Sequence, residues 1–294
     1  MNISKFFASA FAALILSASA VAQPTVNVLR LAPPGAGTAA WAEAISQTLT
    51  ENGYTTNILG FKNCQEGAKW LKDNPKEPVV AMNFSDPFLL NIAEPSNPAG
   101  CGFPVNEQSL VAVAGKWFHF ICGHADAGGL KGLLASDGAK VGSWNSPVQM
   151  KIVQDQLTDI GVKNFKVIGY AAGKDQLQAF VSGDTQYIIL SSESLAKGLP
   201  NAECFATSAE PAIAAGMNRT SYSELNPQVR HQDSGLWPII VGYNVDMTKV
   251  REILGASGNH GVLQQSLSKN YIPVFDSIET QLRDINKRAQ GIKQ

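Results

Sequence analysis

The chain has 294 residues, 45% of them apolar and 16% charged, which is ample for one or two folded domains. Its formal net charge is -1 and it holds no basic run, so neither nucleic acid nor an acidic membrane surface has an electrostatic footprint to meet.

The first segment reads as a targeting signal. Met1 to Lys5 carries one positive charge, Phe6 to Ala22 carries none, and Ala20-Val21-Ala22 is a small-residue cleavage site ahead of Gln23. The apolar run is shorter than the roughly 20 residues of a spanning helix. The expectation is a signal peptide over 1–22, cleaved after Ala22, and an exported protein starting at Gln23.

Val26 to Ala32 is a short apolar strand. The loop Pro33-Pro34-Gly35-Ala36-Gly37-Thr38 follows it, and Ala39 to Leu49 then reads as a helix with Trp41, Ala44, Ile45 and Leu49 on one face. Thr38 suits an N-cap and Asn52-Gly53 a stop. Gly35 and Gly37 let the backbone approach a ligand closely, and the free N–H groups of a helix start suit a carboxylate or phosphate. A plain strand-to-helix turn has the same pattern.

Thr55 to Leu59 is a second strand, and Asn63-Cys64-Gln65-Glu66 opens a helix with a capping-box pattern. Val79 to Met82 is apolar throughout, as a buried parallel strand is. Asn83-Phe84-Ser85-Asp86-Pro87 reads as a polar loop at the same sheet edge as the glycine loop. Asn83, Ser85 and Asp86 are therefore candidate ligand contacts, and equally turn and cap residues. Asn91 to Asn106 reads as loop. Leu110–Val113 and Phe118–Cys122 are strands, Gly129–Ser136 a short helix and Lys140–Ser143 a strand.

Ser143-Trp144-Asn145-Ser146-Pro147 repeats the physics of the first loop. Ser146 is placed as an N-cap, with Pro147 at the first helical position. The helix runs to about Ile160, with Ile152, Val153, Leu157 and Ile160 on one face. Phe165–Tyr170 is a strand, Lys174–Ser182 a helix and Tyr187–Leu190 a strand. Asn201 to Gln232 contains a return crossing. Pro238–Gly242 is a strand, Asp246 caps a helix through Ile253, and helices near Gly261–Leu267 and Ser277–Ala289 finish the chain. Strands alternating with helices predict an α/β, doubly wound fold, whose ligands sit beyond the carboxyl ends of the strands.

Cys64, Cys101, Cys122 and Cys204 make an even set that an exported protein can oxidise, with three possible pairings. A metal reading of His119, Cys122 and His124 fails on strand geometry. His119 faces away from the other two, and two ligands are too few for zinc.

The order of these motifs, with Tyr170-Ala171-Ala172-Gly173 and Ser182-Gly183-Asp184 added, resembles the extracytoplasmic receptors of tripartite tricarboxylate transporters, the Bug or TctC family, over about 25 to 290. Ala36 stands where the family has glycine, Ala39 where it has aspartate, and Ala171-Ala172 where glycines are usual. The resemblance implies a type II periplasmic binding protein, with two α/β lobes joined by a hinge of crossing strands. Residues 23–121 plus 232–294 would form one lobe and 122–231 the other. It implies two pincer loops on a carboxylate, mapped onto Pro34, Gly35, Ala36, Gly37 and Thr38 and onto Ser143, Trp144, Asn145 and Ser146. Those lobes favour the pairing Cys64–Cys101 and Cys122–Cys204, because each bridge then lies within one lobe. Neither pincer contains Lys or Arg, so backbone donors, hydroxyls and helix dipoles would carry the binding. Trp144 is placed against an apolar ligand body, with Tyr170 and Phe84 as further wall candidates; a structural contact for Trp144 is the alternative.

The expected function is a monomeric periplasmic receptor that hands a small organic carboxylate to membrane transporter subunits, with no cofactor, no nucleic acid and no catalysis. No Gly-x-Ser-x-Gly elbow occurs and the four His form no motif. A sensor of the same fold that signals to a membrane kinase is the alternative. An exported nucleotide-binding enzyme is a weaker one. Gly35 to Ala40 fits a dinucleotide pattern, but Pro33-Pro34 disturbs the turn and the second strand ends without an acidic residue.

Overall fold

A computed structural model describes residues 23–34, 39–171, 173–191, 196–232, 235, 237–255 and 276–293. The expected signal peptide, the loop tip Gly35 to Thr38 and the expected helix at 261–267 lie outside them.

In chain order the elements are β1 (Thr25–Arg30), α1 (Ala39–Glu51), β2 (Thr55–Gly60), α2 (Cys64–Asp73), β3 (Val79–Phe84), α3 (Ser85–Ala93), β4 (Leu110–Val113) and β5 (Phe120–His124). Next come α4 (Gly129–Ala135), β6 (Lys140–Trp144), α5 (Pro147–Asp159), β7 (Lys166–Tyr170), α6 (Gly173–Val181), β8 (Tyr187–Leu190) and β9 (Ala202–Thr207). Then follow α7 (Pro211–Gly216), β10 (Thr220–Ser221), α8 (Tyr222–Leu225), β11 (Pro238–Tyr243), α9 (Met247–Leu254) and α10 (Ile278–Lys293).

They build two sheets, ordered β2-β1-β3-β11-β4 and β10-β9-β5-β8-β6-β7. Each sheet is parallel apart from one strand. β11 runs antiparallel to β3 and β4, and β5 runs antiparallel to β8 and β9. The exceptions are the strands that follow the chain's two passages between sheets. β4 leaves the first sheet at its carboxyl edge, and β5 enters the second with Phe120 opposite Leu190, the last residue of β8. On the return, Pro238 enters opposite Phe84, the last residue of β3. The topology therefore turns the carboxyl edges of both sheets toward the same two crossings. The crossings touch: a Cβ on Gly235 would lie 1.4 Å from the carbonyl oxygen of Trp117, so only glycine fits there.

Period-two alternation sorts the first sheet's side chains onto two faces. Val26 and Val28 join Trp41, Ile45 and Leu49 of α1 and Val250 and Leu254 of α9. Leu29 and Leu31 join Phe88 and Leu89 of α3 and Ile285 and Ala289 of α10. Val148 and Ile152 of α5 are buried in that second cluster, so α5 packs against α3 and α10 while staying on β6 and β7 of its own sheet, and Ile152 parts from the face expected to hold it with Val153, Leu157 and Ile160. Val153 and Leu157, on its other side, join Val141 and Ile189 of the second sheet and Leu133 of α4. Phe180 of α6 covers the opposite face with Ile188 and Leu190. The edge strand β4 is tied to α10 by the Val113 N–H, which donates to Oε1 of Gln281 over 2.7 Å.

Both disulfides of the within-lobe pairing are present. Cys64, the first residue of α2, bridges to Cys101, and Cys122 bridges to its register partner Cys204 across β5 and β9. No helix among the described residues is long and apolar enough to cross a membrane.

Three sequence expectations change. Asn83 to Pro87 is no loop, because β3 runs to Phe84 and α3 begins at Ser85. That helix lacks a side-chain cap and carries Pro87 in its first turn, where the missing N–H costs nothing, so neither boundary signal announces it. The loop expected from Asn91 consequently starts only after Ala93. Phe118 and His119 belong to the outward crossing, since β5 starts at Phe120.

Candidate functional site

The segments at the carboxyl edges are the ends of β1 and β3 and the starts of α1 and α3 in the first sheet, and the ends of β6 and β7 and the start of α5 in the second. The clearest helix start is that of α5. Ser146 sits in extended conformation as N-cap, its hydroxyl accepts the Gln149 N–H at 3.4 Å, and Pro147 fills the first position. The first four N–H groups of a helix are without intrahelical partners, and here Pro147 has no N–H at all. The turn is held in place from both sides. Asn145 donates its backbone N–H to the Tyr170 carbonyl at 2.9 Å, and its side chain lies over Gly169, where a Cβ would come within 3.0 Å of Asn145 Oδ1.

Ser143 is the last residue but one of β6, next to this turn. It is fully buried and, among the described residues, its Oγ has no hydrogen-bond partner. A buried hydroxyl in that state is costly unless something accepts from it or donates to it. Trp144 is half-buried and packs against the second sheet's core, which uses part of the ring structurally. Asn145 is exposed, and Tyr170 is half-buried. Burial and then Asp184 raise the Tyr170 pKa, so its hydroxyl stays protonated.

On the first sheet's side, Pro34 is exposed and α1 begins at Ala39, the residue after Thr38. Gly35, Ala36, Gly37 and Thr38 themselves are outside the described residues. The Asn83 side chain accepts its neighbour's N–H from Phe84 at 2.8 Å. Ser85 and Asp86 point inward. Ser85 is fully buried, and its Oγ accepts the Trp237 N–H at 3.3 Å and donates to Asp86 Oδ1 at 3.3 Å. Burial pushes the Asp86 carboxyl up to about 6, against the attraction of Arg288. These two side chains bind the return crossing to α3, which leaves Asn83 as the more open of the three.

An aromatic cluster that sequence reading did not assemble sits at the same edge. Trp41, in the first turn of α1, meets Phe84 edge-on at 4.7 Å and Trp117 at 6.3 Å, and Phe84 lies 5.5 Å from Trp117. Phe84 and Trp117 are half-buried. The Trp117 Nε1–H is buried with no partner among the described residues. Only the crossing brings Trp117 to α1, so no local pattern reveals the cluster. Among the described residues no group of three or more His, Cys, Asp or Glu side chains could hold a metal ion.

No family model matches the chain, and no curated protein matches it. Solved structures do. A TctC solute-binding protein from Polaromonas is 16% identical with a TM-score of 0.66, covering 93% of this chain and 98% of that one. A protein from R. palustris solved with adipate is 11% identical, TM-score 0.60, covering 90% and 94%. MatC from Rhodopseudomonas palustris, with bound malate, is 11% identical, TM-score 0.57, covering 92% and 99%. The chain has the fold of these solute-binding proteins: two α/β lobes joined by crossing strands.

Proposed function

We propose that this chain is an extracytoplasmic receptor of the TctC or Bug kind. It would capture a small organic carboxylate between residues 23–121 plus 232–294 and residues 122–231, and deliver it to a membrane transporter. The observation that supports the reading is the topology of the crossings: β11 enters the first sheet beside the carboxyl end of β3 and β5 enters the second beside that of β8, while α1 and α5 follow the carboxyl ends of β1 and β6. Residues 1–22 would be the export signal.

The described parts of the two loops, Pro34 and Ser143 to Ser146, contain no Lys or Arg. Anchoring then rests on backbone N–H groups, the hydroxyls of Thr38, Ser143 and Ser146, and the helix dipoles. Hydrogen bonds to a charged group contribute about 1.5–3 kcal/mol each, and a few of them supply the roughly 8 kcal/mol of micromolar binding. Phe84 and Trp117, half-buried and backed by the buried Trp41, favour a ligand with a flat or apolar body behind its carboxylate. Closure of the lobes would be the signal to the membrane partner.

The test is a thermal-shift screen of organic acids, since a specific ligand raises the melting temperature by mass action. Calorimetry on Thr38→Ala and Ser146→Ala would follow, with an expected loss of about 1–2 kcal/mol each. No stabilising acid, or unchanged affinity in both variants, would remove this reading.

A further inference from the structure

The last residues of the outward crossing are committed to different partners. Lys116 turns to α10, its Nζ 3.5 Å from Asp284 and 4.7 Å from the centre of the Trp237 ring. Trp117 turns the other way, to Phe84 and to Trp41 of α1; α10 and α1 cover opposite faces of the first sheet. The Trp117 carbonyl abuts Gly235 of the return crossing, where any side chain would clash. Phe118 is buried among Phe120, Ile188 and Leu190. His119 is fully buried and turns to α5. The crossing is therefore pinned residue by residue, and Trp117 and His119 lie two positions apart on it.

Every hydrogen-bonding group of His119 is engaged. Its N–H donates to Ser208 Oγ at 3.0 Å, and its carbonyl accepts the Ser208 N–H at 2.9 Å, just past the end of β9. The ring bonds follow a fixed order. Gln156 donates its amide N–H to the His231 carbonyl, so its Oε1 is left to accept, and the imidazole Nδ1–H donates to it. Nε2 is then the bare acceptor, and it takes the Gln149 amide N–H. Gln149 is buried, and among the described residues its Oε1 has no partner. The imidazole is thus the one polar hold on that side chain among the described residues. Gln149 is also the third residue of α5, and its backbone N–H is the one that Ser146 caps. One residue joins the crossing, by its side chain, to the turn from Ser143 to Ser146, by its backbone.

We propose that His119 is a positioning residue for ligand capture: through Gln149 it fixes the start of α5, and with it the Ser146 turn, at a set offset from Trp117 on the same crossing. His119 touches no ligand itself. The proposal rests on the reading that the α5 start receives a carboxylate and that the Phe84 and Trp117 rings receive the body behind it. An acid long enough to meet both feels the offset. An acid too short to reach the rings does not. Selection by ligand length then comes from a buried pair in the crossing, in addition to the side chains of the cleft.

Benzoate and acetate are the probes, titrated into the full chain at matched ionic strength with tryptophan fluorescence as the readout. His119→Asn places an amide at the Nδ1 position and cannot reach Gln149. His119→Gln presents an amide carbonyl at the Nε2 position and can accept from it. His119→Asn should weaken benzoate about tenfold and change acetate by no more than about twofold, and His119→Gln should recover most of the benzoate loss. Gln149→Met keeps the length of the side chain and removes its donor. It should match His119→Asn, and it carries the test alone if His119→Asn does not fold. The double variant should lose no more than either single variant, because both break one link. A parent that saturates with neither acid overturns the reading of the cleft and this proposal together; one that saturates with only one of them overturns this proposal alone. With both bound, the proposal falls if Gln149→Met titrates as the parent does or loses both acids equally, if His119→Gln binds benzoate no better than His119→Asn, or if the two single losses add in the double variant.

Discussion

The side-chain amide of Gln149 donates to Nε2 of His119 across 2.8 Å, and Nδ1 of the same ring donates to Oε1 of Gln156 at 2.9 Å. One imidazole in the outward crossing is thus gripped by two residues of α5, and Gln156 reaches on to the His231 carbonyl at 2.9 Å. This ties the outward crossing, α5 and the approach to the return crossing into one buried network. The ring accepts at one nitrogen and donates at the other, which requires the neutral form. Burial pushes the His119 pKa down to about 4, with Arg288 and His231 adding to the effect.

His119 and Asp86 should oppose each other as pH changes. His119 titrates near 6.5 when unfolded and about 4 when folded, so its contribution is present above 6.5 and is lost as pH falls toward 4. Asp86 titrates at 3.8 when unfolded and about 6 when folded. Its contribution is present below 3.8 and is lost as pH rises through 6. Asp86→Asn should therefore make stability climb more steeply between pH 4.5 and 6.5, by on the order of 2–3 kcal/mol over the full window. His119→Gln should expose the opposite slope. Urea melts at the two pH values measure both; parallel curves for parent and Asp86→Asn would refute the assignment.

Ser146→Ala removes the N-cap of α5. The capping bond is long at 3.4 Å, so the expected stability loss is at the low end of the cap range, about 0.5–1 kcal/mol. The binding loss proposed above is larger, so calorimetry on folded Ser146→Ala distinguishes a ligand role from a capping role alone.

Tyr222→Phe should not destabilise the protein. Tyr222 is fully buried and its hydroxyl has no partner among the described residues; burial moves its pKa far upward. Removing an unpaired buried hydroxyl while keeping the ring is expected to be neutral or stabilising, by up to about 1 kcal/mol. A melting temperature several degrees below the parent would mean that the hydroxyl has a partner.

Loss of either disulfide should cost about 2–4 kcal/mol, since the bridges close separations of 37 and 82 residues. All four cysteines are buried, so thiol labelling after mild reductant should stay low in native buffer and become complete in denaturant. Rapid labelling under native conditions would contradict this burial.

Trp117→Ala should narrow ligand discrimination at the cleft, if aromatic or cyclic acids prove to bind. The variant should lose about tenfold more affinity for those acids than for short aliphatic acids, because only the former would reach the Phe84 and Trp117 rings. Equal losses for both classes would assign Trp117 a purely structural role.

Much of the architecture was readable because it is written locally. Val79 to Met82 is apolar throughout and became a central strand; Ser146-Pro147 announced a helix start and became one; Val153, Leu157 and Ile160 recur at helical spacing and are buried in one cluster. Helix α3 escaped because its signals are weak: nine residues, no side-chain cap and a proline in the first turn. The segment 201–232 escaped because its elements are short, two strands and two helices that hold only by contact with β5 and the second sheet's core.

The sequence by itself determined the element order, the absence of a basic side chain from residues 33–38 and 143–147, and the cysteine set, since each depends on neighbours in the chain. Tertiary structure alone decided which face of α5 would meet the other sheet, which residues would close around His119, and that successive residues Lys116 and Trp117 would serve opposite sides of the crossings. Burial and charge contacts between residues tens to hundreds of positions apart set these outcomes, and no window of sequence contains both partners.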